Sequence, residues 1–69
     1  MAQGNRPEAK FRIGLVTATV WKNDNSFSVA LRRSYKDGND WKDSDQLFAG
    51  DLLNAAKVLE RAEAWIADQ

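Results

Sequence analysis

An antiparallel sheet of three to four strands followed by one helix, an α+β domain, is the fold this 69-residue sequence predicts. Three observations carry the prediction. Residues 11–36 are rich in β-branched and aromatic side chains, interrupted by Asn, Asp and Gly clusters, the pattern of strands joined by tight turns. Residues 52–66 repeat apolar side chains at helical spacing. The strand signals all precede the helical one.

Residues 1–9 (MAQGNRPEA) show no periodicity, contain the single proline, and read as a flexible tail; residues 10–69 read as one domain. In FRIGLVTATVWK (11–22) the alternation slips. Phe11, Ile13 and Leu15 share one phase, and Val16, Ala18 and Val20 share the other. A bulge at Gly14 in one long bent strand accounts for the slip. NDNS at 23–26 supplies turn chemistry. FSVALRRSYK (27–36) then alternates Phe27, Val29 and Leu31 with Ser28, Ala30 and Arg32. Asp37-Gly38 marks a second hairpin. A three-residue loop over 37–39 would place Tyr35 opposite Trp41 and Arg33 opposite Asp43, both favourable cross-strand pairs. The following strand, from Trp41 to about Gln46, is short and polar as an edge strand is, with residues 43–48 the alternative place for a fourth strand.

The helix is expected over Asp51–Ala67, with Asp51 favourably near its start. Leu52, Ala55, Ala56, Val58, Leu59, Ala62, Trp65 and Ile66 fall within an arc of roughly 180°, wider than the arc of about 100° that rests on a sheet. The excess predicts contact with something besides the chain's own sheet.

Size points the same way. A chain this short buries only about 60% of its unfolded surface, so small domains add disulfides, metals or partners. Cysteine and histidine are both absent, which removes disulfides, thiol and imidazole catalysis, and the commonest transition-metal ligands. A second copy of the chain is the simplest remaining support, with Val58, Leu59, Ala62, Trp65 and Ile66 as the candidate dimer interface. DGND (37–40) and DSD (43–45) read as solvated turn carboxylates and lack calcium-loop spacing. No phosphate loop or dinucleotide fingerprint occurs. The expectation is a non-enzyme without catalytic residues, cofactor or metal. No membrane-length apolar run or signal sequence is seen, and a cytoplasmic location is expected.

Formal net charge is zero, yet it is unevenly spread. Residues 1–42 hold eight basic side chains against four acidic ones, and residues 43–69 hold two against six. In the basic part, Trp21, Phe27, Tyr35 and Trp41 interleave with Arg12, Lys22, Arg32, Arg33, Lys36 and Lys42. Single-stranded nucleic acid is bound by that mixture: bases stack on flat rings at about 1–3 kcal/mol each, while cations track the phosphates. The bland alternatives are specific. Phe27 shares a phase with Val29 and Leu31 and reads as core. Trp21 and Trp41 are divided between core and surface, and Tyr35 leans to the surface. Adjacent Arg32 and Arg33 point to opposite faces, so one ligand surface receives only one of them.

The order of elements, with a KFRIG opening, an RRSYKDGNDWK hairpin and a C-terminal amphipathic helix, resembles the transcriptional positive-cofactor-four family of single-stranded-DNA-binding coactivators and their small bacterial relatives. The resemblance spans Lys10 to Ile66. It implies a homodimer packed through its helices and curved sheets that hold single strands with hairpin aromatics and basic residues. It also implies a transcription or replication accessory role. The ring of the second hairpin corresponds to Tyr35, flanked by Arg33 and Lys36. That of the first hairpin corresponds to Phe27 or Trp21, and Lys10 and Arg12 match basic residues opening the first strand. The chain departs from the family in its acidic DSDQ at 43–46, where the relatives are basic.

The expected function is non-specific binding of single-stranded nucleic acid, DNA before RNA, by Arg12, Trp21, Lys22, Arg32, Arg33, Tyr35, Lys36, Trp41 and Lys42. The competing reading is a protein–protein adaptor or dimerisation module on the same scaffold, favoured by the acidic 43–69 segment.

Overall fold

The computed structural model describes residues 6–69, so the first five residues of the expected tail lie outside it. Strands β1 (Ala9–Ile13), β2 (Val16–Asn23), β3 (Ser26–Asp37) and β4 (Asp40–Ser44) form one antiparallel sheet in chain order. A 3₁₀ turn (Ala49–Asp51) leads into the single helix, α1 (Leu52–Ala67). The α+β fold expected from the sequence is present, with four strands.

Two connections differ from expectation. Residues 11–22 do not form one bulged strand: Gly14 and Leu15 are the two-residue turn of a hairpin in which Ile13 faces Val16. Gly14 takes φ +61°, a conformation only glycine adopts without strain, and reverses the chain there. The phase slip is thus two strands meeting at a turn. Pairing also begins earlier than expected, with Ala9 opposite Val20 and the Glu8 amide donating to the Val20 carbonyl at 2.7 Å.

The second difference is the β3–β4 register. Asp37 pairs with Asp40 around a two-residue turn, Gly38-Asn39, in place of the expected three-residue loop. Gly38, with φ +64°, holds the first central position as a type II′ turn requires. Tyr35 therefore faces Lys42, Lys36 faces Trp41, Arg33 faces Ser44, and Ser34 faces Asp43. The expected Tyr35–Trp41 and Arg33–Asp43 pairs do not form. The extra strand comes from residues 9–13; residues 45–48, beyond β4, are not a strand.

The core lies between the sheet and α1. Val16, Ala18 and Val20 on one face of β2 meet Ala55, Val58 and Ala62 of the helix, and Phe11, Ile13, Phe27, Leu31 and Leu47 pack around them. Among the described residues, three of the six buried hydrophobic ones are alanines, which lets the helix sit close but encloses little apolar volume. Trp65 closes one end, edge-on to Phe27 at 5.6 Å between ring centres. This corrects most of the expected dimer interface. Val58 and Ala62 are consumed by the chain's own sheet, Trp65 and Ile66 pack against the same core, and Leu59 alone of the five remains exposed.

The helix lies mainly over β1 and β2 and touches β3 only lightly. The helix-side surface of β3 and β4 is left to the segment between β4 and α1. Phe48, Leu52 and Leu53 stay exposed, Leu53 at 85%.

Candidate nucleic-acid interface

Antiparallel pairing assigns every strand residue to a face, because opposed residues point the same way and neighbours alternate. The buried residues of β2 fix the helix side. Through the register, that side also carries Arg33, Tyr35, Lys42 and Ser44. The open side carries Lys10, Arg12, Thr17, Thr19, Trp21, Ser28, Ala30, Arg32, Ser34, Lys36, Trp41 and Asp43. Lys22, opposite Phe27, lies in the helix-side phase at the exposed end of its hairpin.

The nine expected contact residues are therefore split between the two faces. Arg12, Trp21, Arg32, Lys36 and Trp41 share the open face, whereas Lys22, Arg33, Tyr35 and Lys42 belong to the other. Arg33 is also committed elsewhere. Its Nε lies 2.7 Å from Asp51 Oδ2, both side chains are mostly buried (16% and 14% exposed), and the guanidinium sits 4.3 Å from the Phe48 ring centre. The Nε–H does not point at the carboxylate well enough for a hydrogen bond, so the contact is an ion pair with that donor unsatisfied. Lys42 pairs with Asp37 at 3.0 Å on the same face, both exposed to solvent.

Five of the nine remain as one surface. Its strands present Lys10, Arg12, Arg32 and Lys36 against Asp43, whose carboxylate accepts the Ser34 hydroxyl at 3.2 Å. Arg32 contacts Asp45 at 2.8 Å in an exposed pair, which water and salt leave weak. The Arg12 Nε donates to the Gly14 carbonyl at 2.9 Å, holding the side chain beside the first turn. Trp41 is 61% exposed and stands directly opposite Lys36, a flat ring beside a cation. Trp21 is half-buried opposite Ser28. Ser28 and Lys36 are eight residues apart on β3, which separates the two tryptophans by about 27 Å along the strand direction. Small residues, Thr17, Thr19, Ala30 and Ser34, floor the space between them. A shallow, cation-edged surface with a ring near each end can stack bases and hold phosphates without reading sequence.

Lys10, which the resemblance named beside Arg12, shares the open face with it. One feature escapes sequence reasoning. Asp51 does more than start a helix: it accepts the Phe48 amide at 2.9 Å while contacting Arg33, tying the β4–α1 segment to the sheet. Its position three residues after Phe48 is the spacing of a capping box, the one sequence signal that marks it. Among the described residues, no group of three or more Asp or Glu is placed to hold a metal ion, and no helix is long and apolar enough to cross a membrane. Comparison with protein-family models, curated proteins and solved structures gives no match to this chain.

Proposed function

We propose that the open face of the sheet binds single-stranded nucleic acid, DNA in the first instance, without sequence preference. The observation that carries this reading is the Lys36–Trp41 cross-strand pair, exposed on the same face as Lys10, Arg12 and Arg32. Stacking on Trp41, and more weakly on Trp21, supplies affinity, and the four cations follow the phosphates. Tyr35, Arg33, Lys22 and Lys42 are not part of this surface.

The test is a titration with a thymidine oligomer of about 20 nucleotides, long enough for the site sizes of single-strand binders, read by tryptophan fluorescence at low and physiological salt. Quenching that saturates, weakens with salt and exceeds that given by duplex is expected. Trp41→Ala should lower affinity about tenfold, the loss of one stacked base. Lys36→Ala should also flatten the salt dependence. No quenching at low salt, or an affinity indifferent to Trp41→Ala, rejects the reading.

A separate observation favours a protein contact on the other side. Leu52, Ala56 and Leu59 form an exposed row at i, i+4 and i+7 on α1, with Leu53 beside it. Given the small core, we infer that a second copy of the chain covers this row, in place of the helix residues that the core uses. Sedimentation equilibrium of the wild type should then show a dimer, and a monomer at all accessible concentrations rejects it.

A further inference from the structure

A concave feature lies on the helix side of the sheet, away from the proposed nucleic-acid surface. Where α1 leaves β3 and β4 uncovered, the segment after β4 folds back and borders an open pocket of about 350 Å³ lined by Arg33, Tyr35, Ser44, Gln46 and Phe48. That is the small end of the range that holds a small organic ligand. Its walls are fixed from within the chain. Asp51 Oδ2 accepts the Phe48 amide at 2.9 Å and contacts Arg33 Nε at 2.7 Å, and the Phe48 ring lies over the guanidinium at 4.3 Å.

The polar groups of the lining are available. Ser44 Oγ accepts the Gln46 backbone amide at 3.1 Å, which leaves the hydroxyl hydrogen free to donate. Among the described residues, the Gln46 side-chain amide and the Tyr35 hydroxyl make no hydrogen bond within the chain, whereas the Arg33 Nε is buried against Asp51. The charge inside is nearly balanced because Asp51 accompanies Arg33. An anion would meet that carboxylate as well as the cation, whereas a flat neutral ring would meet two aromatic walls. Its edge would face an amide able both to donate and to accept.

We propose that this pocket takes a single unstacked nucleobase, stacked against Phe48 or Tyr35 with its edge on Ser44 and Gln46. Reading a splayed-out base by an aromatic wall and polar groups at its edge is a general mode of single-strand recognition. The choice of ligand class rests on the single-strand reading of the open face. Ser44 and Gln46 lie at and just beyond the end of the edge strand β4, so a chain crossing the open face past Trp41 can turn over that edge and present one base to the pocket.

The test uses the full chain and free nucleosides as probes. Titration at millimolar concentration should shift the Gln46 side-chain amide and the Tyr35 and Phe48 ring resonances in NMR spectra, and Trp41→Ala should leave those shifts unchanged. The combined Ser44→Ala and Gln46→Ala variant, altered only at solvent-accessible positions, should keep its urea midpoint and weaken nucleoside binding about tenfold, the loss of two hydrogen bonds. Absence of shifts at Gln46, or an affinity that survives the double change, overturns the pocket whatever oligomers do. Nucleoside shifts that persist when the oligomer titration gives no binding retain the pocket and locate the failure in the open face alone.

Discussion

Replacing Asp51 by Ala should cost a third or more of this domain's stability. The carboxylate accepts the Phe48 amide at 2.9 Å, and a hydrogen bond to a charged group is worth about 1.5–3 kcal/mol. It also neutralises Arg33, and both side chains are mostly buried. Removing one partner of a fully buried pair costs about 3–5 kcal/mol, because the other charge is left without compensation. Here each side chain keeps some contact with solvent, so the hydrogen bond is taken at its lower end and the pair discounted to about 1.5 kcal/mol, and about 3 kcal/mol is expected for the two losses together. A chain of this size is stable by about 3–10 kcal/mol in all. Urea denaturation read by tryptophan fluorescence is the assay, since Trp65 packs on Phe27 only in the folded state. With a slope of about 1 kcal/mol per molar urea, the midpoint should fall by about 3 M. Asp51→Asn keeps an acceptor and should lose about half as much, a useful comparison if Asp51→Ala unfolds without denaturant. Arg33→Met on the Asp51→Ala background should restore stability, because the uncompensated charge is gone. A loss below about 0.5 kcal/mol for Asp51→Ala would mean that the pair behaves as a solvated one and that Arg33 is free to meet a phosphate.

Gly14→Ala forces a side chain into φ +61° and sets its Cβ 3.0 Å from Asn54 Nδ2, so a loss of about 1–2 kcal/mol in the same urea assay is expected. Val58→Ala opens a space in the middle of a core with few large side chains and should lower stability by about 2–3 kcal/mol, again read from the urea midpoint. Leu52→Glu with Leu59→Glu should leave the far-ultraviolet circular dichroism of the helix unchanged while abolishing self-association in sedimentation equilibrium. A dimer that survives both changes places the contact elsewhere.

The fold was legible where composition and period agree. The helix emerges within a residue of its expected start because its apolar spacing is regular, and β3 begins and ends within a residue of expectation. The first hairpin was misread for a physical reason. Gly14 permits either a bulge or a reversal, and both exchange the faces of the residues on either side. The local alternation is the same in the two cases. What decides between them is pairing: a reversal lets Ile13 and Phe11 cover Val16 and Ala18 on the helix side, whereas a bulge leaves β2 an edge strand. That gain is non-local and leaves no mark in residues 11–22 themselves. The wide apolar arc of α1 predicts more apolar surface than one sheet covers: Val58 and Ala62 of that arc are buried by the chain's own sheet, and Leu52, Ala56 and Leu59 are the part left exposed. A helix angle gives relative directions, and only the sheet fixes which direction is inward.

The candidate site turned on a single residue of loop length. Side chains alternate with period two, so moving β4 by one position against β3 exchanges its faces. With three loop residues Trp41 would join Tyr35 on the helix side, and stacking and charge would be divided between two surfaces. With two, Trp41 joins Lys36, Arg32 and Arg12 on the open side, and Arg33 is left to its pair with Asp51. The cross-strand preferences favoured the wrong alignment, because aromatic–aromatic and opposite-charge pairs are each worth at most about 1 kcal/mol. Against them stand the backbone demand of a type II′ turn, met by Gly38 at φ +64°, and the Arg33–Asp51 contact, which needs Arg33 on the helix side. Inserting one glycine after Gly38 tests this ordering of effects: if the turn sets the register, the insertion should move Trp41 to the other face and remove its quenching by the oligomer while the chain stays folded. Quenching that survives the insertion would mean that Arg33, Asp51 and the side-chain pairs hold β4 in place and the turn merely follows.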